Sequence, residues 1–250
     1  MVETLFILLT AHLLGDFVLQ WDWMVERKKE PKVLLSHAAL VTAVSALLLG
    51  SLYVPLLLIL LVSHMAIDAL KVHAFRDGTY AFIGDQALHI VVIFGLAVAF
   101  ATTAQHGLWL TLLPAEGERW FLQGVTLLGG VLLCVPAGGV LIGIMIRPLL
   151  EEIGKDKQAD HDGAGYDVEG LRRGGRYIGW LERSLVMLLL LIGQPGGIGF
   201  LVAAKSILRF GEIKDSHQRK MAEYIIIGTF LSFGWALLIS YLTQRALTFW

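Results

Sequence analysis

Histidine and aspartate recur in this sequence at a spacing that would place them together on helices. Three pairs are separated by four residues: His12 with Asp16, His64 with Asp68, and Asp85 with His89. Residues four apart lie on the same face of an α-helix. His37 is a further candidate of the same chemical type. Each pair would therefore present two ligand-type side chains to one neighbouring helix.

Imidazole and carboxylate groups together suit a divalent metal such as zinc, manganese or iron. Cys134 is the only cysteine, so a thiolate site or a disulfide would need a second chain. We predict one or two metal ions, most simply zinc, held by His12, Asp16, His37, His64, Asp68, Asp85 and His89. Asp16 or Asp85 could instead act as a catalytic base. Taken singly, each pair is better explained by a structural ion pair or a proton relay.

A second polar group occurs near the end of the chain and consists of Arg176, Glu182, Arg183, Lys205, Ser206, Arg209 and Glu223. We predict that it binds an anionic substrate group, most simply phosphate, and that Lys205 and Arg183 stabilise the charge that develops in the reaction. The alternative for Arg176 and Arg209 is that they anchor helix ends at the membrane surface. Lys205 lies deeper in its segment, where Glu182 and Glu223 are candidate partners.

The composition excludes a water-soluble domain. Hydrophobic residues make up 56% and charged residues 16% of the chain, and the mean hydropathy is +0.69, whereas soluble domains contain about 25% charged residues. A membrane span needs about 20 apolar residues. We therefore predict an all-α, polytopic helical membrane protein with about eight spans, the seventh short or re-entrant. They lie near residues 3–20, 34–52, 54–72, 80–104, 121–146, 177–193, 196–210 and 222–243.

Lys and Arg concentrate in the odd-numbered loops between these spans. Since basic loops stay cytoplasmic, we expect a multi-pass protein of the inner (plasma) membrane with both termini outside the cytoplasm. The seven candidate ligands then share the cytoplasmic membrane level, and the outer halves of their spans are nearly all apolar. The expected regions are a four-helix metal-site bundle (1–110), a fifth span (111–150), a cytoplasmic polar loop (151–176), and C-terminal membrane helices with a basic and acidic cluster (177–250).

Several motifs resemble a bacterial inner-membrane family, domain-of-unknown-function family 3307. They are HLLGDFVLQ at 12–20, SHMAID at 63–68 and GDQALH at 84–89. Later stretches, GRYIGWLER at 175–183, AKSILRF at 204–210 and AEY at 222–224, resemble it too. The resemblance covers essentially the whole chain and implies no activity.

A second resemblance is to membrane-bound metal-dependent hydrolases of the YdjM type. Ser63, His64 and Asp68 match their Ser-His-x-x-x-Asp motif, whereas Ser36 and His37 have the reversed order of their early His-Ser motif. Those proteins are similar to zinc phospholipase C and the zinc single-strand nucleases, in which a histidine precedes an aspartate by four residues, as in the segment 12–16. The soluble enzymes place a histidine where this chain has Asp22. This resemblance implies zinc and phosphoester hydrolysis.

We therefore expect a metal-dependent hydrolase of a phosphoester, either a lipid head group or a lipid-linked phosphate, at the cytoplasmic membrane face. Its partners would be the lipid bilayer and a phosphate-containing substrate, and the formal charge of -1 gives no indication of nucleic acid. One alternative is a transporter or channel that carries metal ions or protons through the same groups. Another is a signalling or scaffold membrane protein with a structural metal.

Overall fold

The computed structural model of the chain describes residues 1–75, 78–159, 174–207 and 216–250. Every regular element in these residues is helical, which confirms the all-α class. The helices are α1 (Val2–Phe17), α2 (Asp22–Glu26), α3 (Pro31–Leu49), α4 (Val54–Ala74), α5 (Thr79–Ala99), α6 (Leu108–Leu112), α7 (Ala115–Leu132), α8 (Gly138–Ala159), α9 (Gly174–Leu191), α10 (Gly196–Ile207) and α11 (Ser216–Leu247).

Proline and glycine set the ends of the helices that carry candidate ligands. Pro31 and Pro55 lie in the first turns of α3 and α4, where a missing N–H group costs no helical hydrogen bond. Gly50 ends α3 in the left-handed conformation, with φ 60° and ψ 30°, which residues with a Cβ rarely adopt. A Cβ on Gly50 would also lie 2.9 Å from the main-chain nitrogen of Leu108. These residues therefore fix where α3 stops and α4 begins.

Five helical segments of the described residues are long and apolar enough to cross a membrane, which indicates a membrane protein. They are Pro31–Leu49, Val54–Ala74, Thr79–Ala99, Ala115–Ile153 and Lys220–Leu247. α1 has 16 residues and α10 has 12, and a 12-residue helix extends only about 18 Å. α9 carries three charged residues among its 18. The number of about eight spans therefore stays a prediction.

The fifth predicted span is one apolar stretch in the sequence but two helices in the structure. A π-helical turn, Leu133–Ala137, joins α7 to α8 and contains Pro136. Proline has no N–H group to donate and its ring crowds the preceding turn, so a helix is commonly interrupted there. The chain also divides into two compact units at this turn, between Leu133 and Cys134.

The first unit comprises Met1–Leu133 and Arg245–Trp250. In it, α1 packs against α3, α5 and α7, and α4 packs against α3 and α5. The approach of α1 to α3 requires a small residue, because a Cβ on Gly15 would lie 2.6 Å from Val41 Cγ2. The up-and-down order of the helices brings the C-terminal ends of α1 and α4 beside the N-terminal ends of α3 and α5.

The opposite end of this bundle is an apolar core. Buried leucine and isoleucine side chains from five helices form it, among them Ile7, Leu49, Leu56, Ile93 and Leu122. Burying such side chains is favourable by roughly 1.5–3 kcal/mol each relative to exposure to water. The core therefore holds the helices together at one end and leaves the other end for polar residues.

The second unit, Cys134–Gln244, contains α8, α9, α10 and most of α11. Within it, α9 packs against both α8 and α10. Residues 160–173, which form most of the predicted polar loop, lie outside the described residues. The described part of that loop is helical as far as Ala159, where α8 ends.

Candidate metal centre

The seven histidines and aspartates singled out by their spacing lie together at one end of the first unit. The pairs on α1 and α4 come from the C-terminal parts of those helices, and the ligands on α3 and α5 come from the N-terminal parts. None of the seven side chains exposes more than 6% of its surface. We call this group the His/Asp cluster: His12, Asp16, His37, His64, Asp68, Asp85 and His89.

Four ligand atoms from four residues of the cluster lie close together. They are Asp16 Oδ1, His37 Nε2, His64 Nε2 and Asp68 Oδ2, and the two imidazole nitrogens are 3.2 Å apart. The distances from Asp16 Oδ1 to the nitrogens are 3.3 and 3.5 Å, and those from Asp68 Oδ2 are both 3.6 Å. Ligands about 2.0–2.2 Å from a tetrahedral zinc ion are about 3.3–3.6 Å from one another. The spacing of these four atoms therefore fits the coordination shell of zinc.

The two carboxylate oxygens in this set are buried without a hydrogen bond. Asp16 Oδ1 and Asp68 Oδ2 accept none, although the other oxygen of each carboxylate has a donor. Asp68 Oδ1 accepts from Lys28 Nζ at 2.7 Å, and Asp16 Oδ2 accepts from Gln86 Nε2 at 3.4 Å. A buried carboxylate oxygen without a partner is costly. A cation between these oxygens would remove that cost.

A second group of possible ligands adjoins the first and consists of Asp68, Asp85 and His89, whose ligand atoms lie within 4.8 Å of one another. His89 Nδ1 lies 2.9 Å from the main-chain oxygen of Asp85. That oxygen is an acceptor, so Nδ1 must carry the proton and Nε2 must carry the lone pair. His89 Nε2 and Asp85 Oδ1 are both buried without a partner. Lys71 Nζ donates to the other oxygen of Asp85 at 2.7 Å.

Gln86 connects the two groups and fixes a tautomer. Its amide nitrogen donates to Asp16 and to Asp85 Oδ2, the latter at 3.2 Å. Because both partners are acceptors, the amide oxygen must face His12, whose Nε2 lies 3.2 Å away and donates to it. His12 Nδ1 is then the unprotonated nitrogen, and it has no hydrogen-bond partner. The polar network thus leaves His12 ready to bind a cation.

The charges around the cluster also favour a cation. Three carboxylates face two ammonium groups, those of Lys28 and Lys71. With neutral imidazoles, one net negative charge remains in a pocket that is almost completely buried. Uncompensated charge at such depth costs several kcal/mol. A bound cation would neutralise it.

Three members of this site, Lys28, Lys71 and Gln86, were missed in the sequence. Both lysines fit the pattern of basic residues in cytoplasmic loops, which predicts exposed side chains. Lys28 is nevertheless buried, and Lys71 is largely buried. Lys28 enters from the turn between α2 and α3, a connection too short to show in hydropathy. Gln86 lies within the GDQALH motif, and its position beside Asp85 was the available signal.

Arg183, which was predicted to bind substrate, lies in the second unit and is buried. Its Nε and Nη2 donate to the main-chain oxygen of Val135 at 3.3 and 3.0 Å, and its Nη1 donates to Ser232 Oγ at 3.2 Å. Val135 belongs to the π-helical turn, where carbonyl groups are freed from the regular helical pattern. These hydrogen bonds give Arg183 a structural role. Its predicted role in binding a substrate stays a prediction.

The other members of the C-terminal polar group also belong to the second unit. Lys205 Nζ lies 2.6 Å from Glu182 Oε1, so the expected pairing of these two residues is present. Arg176 is exposed and lies over the ring of Trp180, 4.8 Å from its centroid. Glu223 is exposed on α11. The side chain of Ser206 and the whole of Arg209 lie outside the described residues, and the predicted substrate roles of this group are untested.

The part of the chain that carries the cluster matches a family model. Residues 4–114 match the family model described as "Protein of unknown function (DUF3307)". This match confirms the family resemblance for the part of the chain that carries all seven candidate ligands, whereas the later motifs lie beyond it. No curated protein and no solved structure matches the chain. The resemblance to YdjM-type hydrolases and to the zinc phospholipase C group therefore stays a prediction.

Proposed function

We propose that the protein is a membrane-embedded, metal-dependent hydrolase that cleaves a phosphoester, in a lipid head group or a lipid-linked phosphate, at the cytoplasmic membrane face. The observation that carries this proposal is the set of four buried ligand atoms in which the two imidazole nitrogens lie 3.2 Å apart and each lies 3.3–3.6 Å from both carboxylate oxygens. One hydrogen bond between the imidazoles of His37 and His64 accounts for only one of these contacts. Here two carboxylate oxygens accept no hydrogen bond at all.

In this proposal Asp16, His37, His64 and Asp68 hold the first ion. Asp85 and His89, with His12 beside them, provide ligands for a second one. Adjacent metal sites that share carboxylates are typical of enzymes that cleave phosphoesters, because two ions can stabilise the attacking and the leaving oxygen. The two lysines bind the carboxylate oxygens that face away from the ions, and so orient the ligands.

Zinc held by these residues would supply a water acidic enough to lose its proton near neutral pH. In the reaction, a water oxygen would form a bond to phosphorus as the bond from phosphorus to the ester oxygen breaks. Asp16 or Asp85, acting as a base instead of as a ligand, would accept the proton of the water and return it to the departing alcohol. Lys71, which is the more exposed lysine, offers positive charge to the phosphoryl oxygens.

The apolar core at the opposite end of the bundle supports a hydrolase in preference to a transporter. A path for ions would continue from the cluster between the helices, and there the helices bury Ile7, Leu49, Leu56 and Ile93 instead. The positive-inside pattern supports the cytoplasmic face and the inner membrane as the location, with both termini on the other side. The proposal also includes about eight membrane spans and an anion-binding role for the C-terminal polar group.

Metal analysis of the purified protein tests the proposal. Wild-type protein should contain a stoichiometric divalent metal by mass spectrometry of the elements, and His64→Ala and Asp85→Ala should contain less. His73→Ala is the matched control, because His73 is an exposed histidine of the same helix as His64. Equal metal contents in all four proteins, or a wild type that binds no divalent metal after reconstitution, would refute the metal site.

Hydrolysis and transport are then measured on the metal-loaded protein. Bis(p-nitrophenyl) phosphate and p-nitrophenyl phosphate report diester and monoester cleavage, and phosphatidic acid in mixed micelles reports cleavage of a lipid phosphate. Metal flux into liposomes reports transport. Flux that depends on His64, without hydrolysis of any of these esters, would favour the transporter.

A further inference from the structure

A cavity opens between α4 and α5 beside the His/Asp cluster. Its volume is about 420 Å³, which is within the range of about 300–1,000 Å³ that is usual for small-molecule sites. Most of its lining is apolar, with Ile67 and Leu70 on α4 and Leu88 and Val91 on α5. The exposed fractions of Leu70, Leu88 and Val91 show that this side of the two helices faces outward. In a membrane, such a cavity opens toward lipid.

The charged residues lie partway along the cavity. Lys71 and Asp85 line it there and also belong to the polar network of the cluster, and Phe75 and Tyr80 line it beyond them. An ammonium group carries three N–H donors, and the side chain of Lys71 remains 28% exposed. From Asp85 to Val91, α5 extends about 9 Å along its axis. The lining is thus charged at the level of Lys71 and Asp85 and apolar from there to Val91.

We propose that this cavity binds one chain of a lipid whose anionic phosphate group lies at Lys71. The proposal rests on the proposed function and names its substrate class, a phosphate that carries a long apolar chain. The order of groups in such a lipid, with charge nearer the membrane surface and hydrocarbon below it, matches the part of the cavity from Asp85 to Val91. Lys71, which donates to Asp85, would then hold the phosphate beside the cluster, and the chain would lie against Leu88 and Val91.

Gly84 provides a way to fill the cavity without disturbing the bundle. It lines the cavity, and a Cβ on it would meet no atom within 4 Å. Gly95 is a matched control, since it is also exposed on α5, also has open space around its Cβ position, and does not line the cavity. The two glycines are eleven residues apart and therefore lie on nearly the same face of the helix.

The test measures lipid binding in wild type, Gly84→Leu and Gly95→Leu by native mass spectrometry from detergent micelles, with dioleoyl phosphatidic acid as the probe. Gly84→Leu should bind this lipid roughly tenfold more weakly, because the leucine occupies the space of the chain. Gly95→Leu should bind it as wild type does. Equal binding by the two variants would overturn the proposal.

Two further measurements keep the result interpretable. Val91→Trp fills the apolar end instead and should also weaken binding, so a folding defect of one variant does not decide the outcome. Dioleoylglycerol has the same chains without phosphate and should bind more weakly than phosphatidic acid in wild type. Binding of the two lipids with equal affinity would overturn the role of Lys71 and the phosphate.

Catalysis is measured separately, so that the two proposals can fail independently. The ratio of phosphatidic acid hydrolysis to bis(p-nitrophenyl) phosphate hydrolysis should fall in Gly84→Leu and stay unchanged in Gly95→Leu. A wild-type protein that binds the lipid but hydrolyses neither ester would overturn the hydrolase and leave the lipid site standing. A wild-type protein that hydrolyses the small ester but does not bind the lipid would overturn the lipid site and leave the hydrolase standing.

Discussion

The two units of the chain both bury charged side chains among apolar helices, but they treat them differently. In the second unit, Arg183 directs its guanidinium at the carbonyl oxygen of Val135 and at Ser232. In the first unit, Asp16 Oδ1, Asp68 Oδ2 and His89 Nε2 are buried without a hydrogen bond. The buried arginine completes a network of donors and acceptors, whereas the His/Asp cluster leaves several acceptors without donors.

This difference indicates which buried charges belong to a functional site. An ionisable residue within the membrane is costly wherever it occurs, so its presence alone suggests a function equally for Arg183 and for Asp68. The partners separate the two cases. Arg183 donates to a main-chain oxygen of the π-helical turn that contains Pro136, whereas one carboxylate oxygen each of Asp16 and Asp68 has no donor.

The largest effect should follow from Asp68→Asn. The amide keeps the shape of the side chain but removes the negative charge and one ligand oxygen. We expect loss of bound metal and a fall in phosphoester hydrolysis of roughly a thousandfold, the scale of several kcal/mol of lost stabilisation. Asp22→Asn, at the exposed start of α2, is the control and should keep both. Normal metal content in Asp68→Asn would remove Asp68 from the site.

The next largest effect should be on the free energy of unfolding and not on the metal content. Arg183→Met leaves the oxygens of Val135 and Ser232 buried without their donor, and we expect a loss of about 2–4 kcal/mol in the free energy of unfolding. Arg176→Met changes an exposed arginine of the same helix and should cost at most about 1 kcal/mol, the scale of its contact with the ring of Trp180. Denaturant titration in mild detergent measures both, and metal content should stay at the wild-type value. A loss of metal in Arg183→Met with unchanged stability would contradict the comparison.

Gln86→Leu should give an intermediate effect within the first unit. It removes the amide that donates to Asp16 and Asp85 and accepts from His12, but it removes no proposed ligand. Loss of a group that orients metal ligands typically lowers metal affinity by about 10–100-fold. Competition with a chelator of known affinity measures this change, and Gln105→Leu, an exposed glutamine, serves as its control. An affinity equal to that of wild type would show that the network around Gln86 does not orient the ligands.

The smallest effect should come from the pair of Lys205 and Glu182. Both side chains are partly exposed, and ion pairs of this kind contribute at most about 1 kcal/mol. Lys205→Met, Glu182→Gln and the double variant form a cycle whose coupling energy can be read from unfolding curves. A larger coupling energy, together with weaker hydrolysis in Lys205→Met, would assign the pair to the reaction instead.

The spacing of histidine and aspartate predicted the cluster well because four-residue intervals on helices determine which side chains share a face. The basic loops predicted that these faces meet at one membrane level, and the structure brings the seven side chains together at one end of the first unit. The sequence could not reveal Lys28 and Lys71 as members, because lysine near a helix end is usually exposed and its partner depends on how the helices pack.

The fold was predicted less completely. The bounds of α3, α4 and the start of α5 agree with the predicted spans within a few residues, because proline, glycine and apolar length mark them. The π-helical turn at Leu133–Ala137 was missed, since hydropathy does not register a proline inside a continuous apolar stretch. The short helices α2 and α6, each of five residues, are likewise below the length that periodicity can detect.

All the residues of the His/Asp cluster, with Lys28, Lys71 and Gln86, occur within the segment from His12 to His89. Ribosomes add about 5–20 residues each second and release the N-terminal part of a chain first. The four helices that carry the cluster therefore enter the membrane before Cys134 and the second unit are synthesised. During insertion, the two lysines can accompany their carboxylates into the bilayer as nearly neutral pairs. The order of the chain thus allows the His/Asp cluster to assemble during translation.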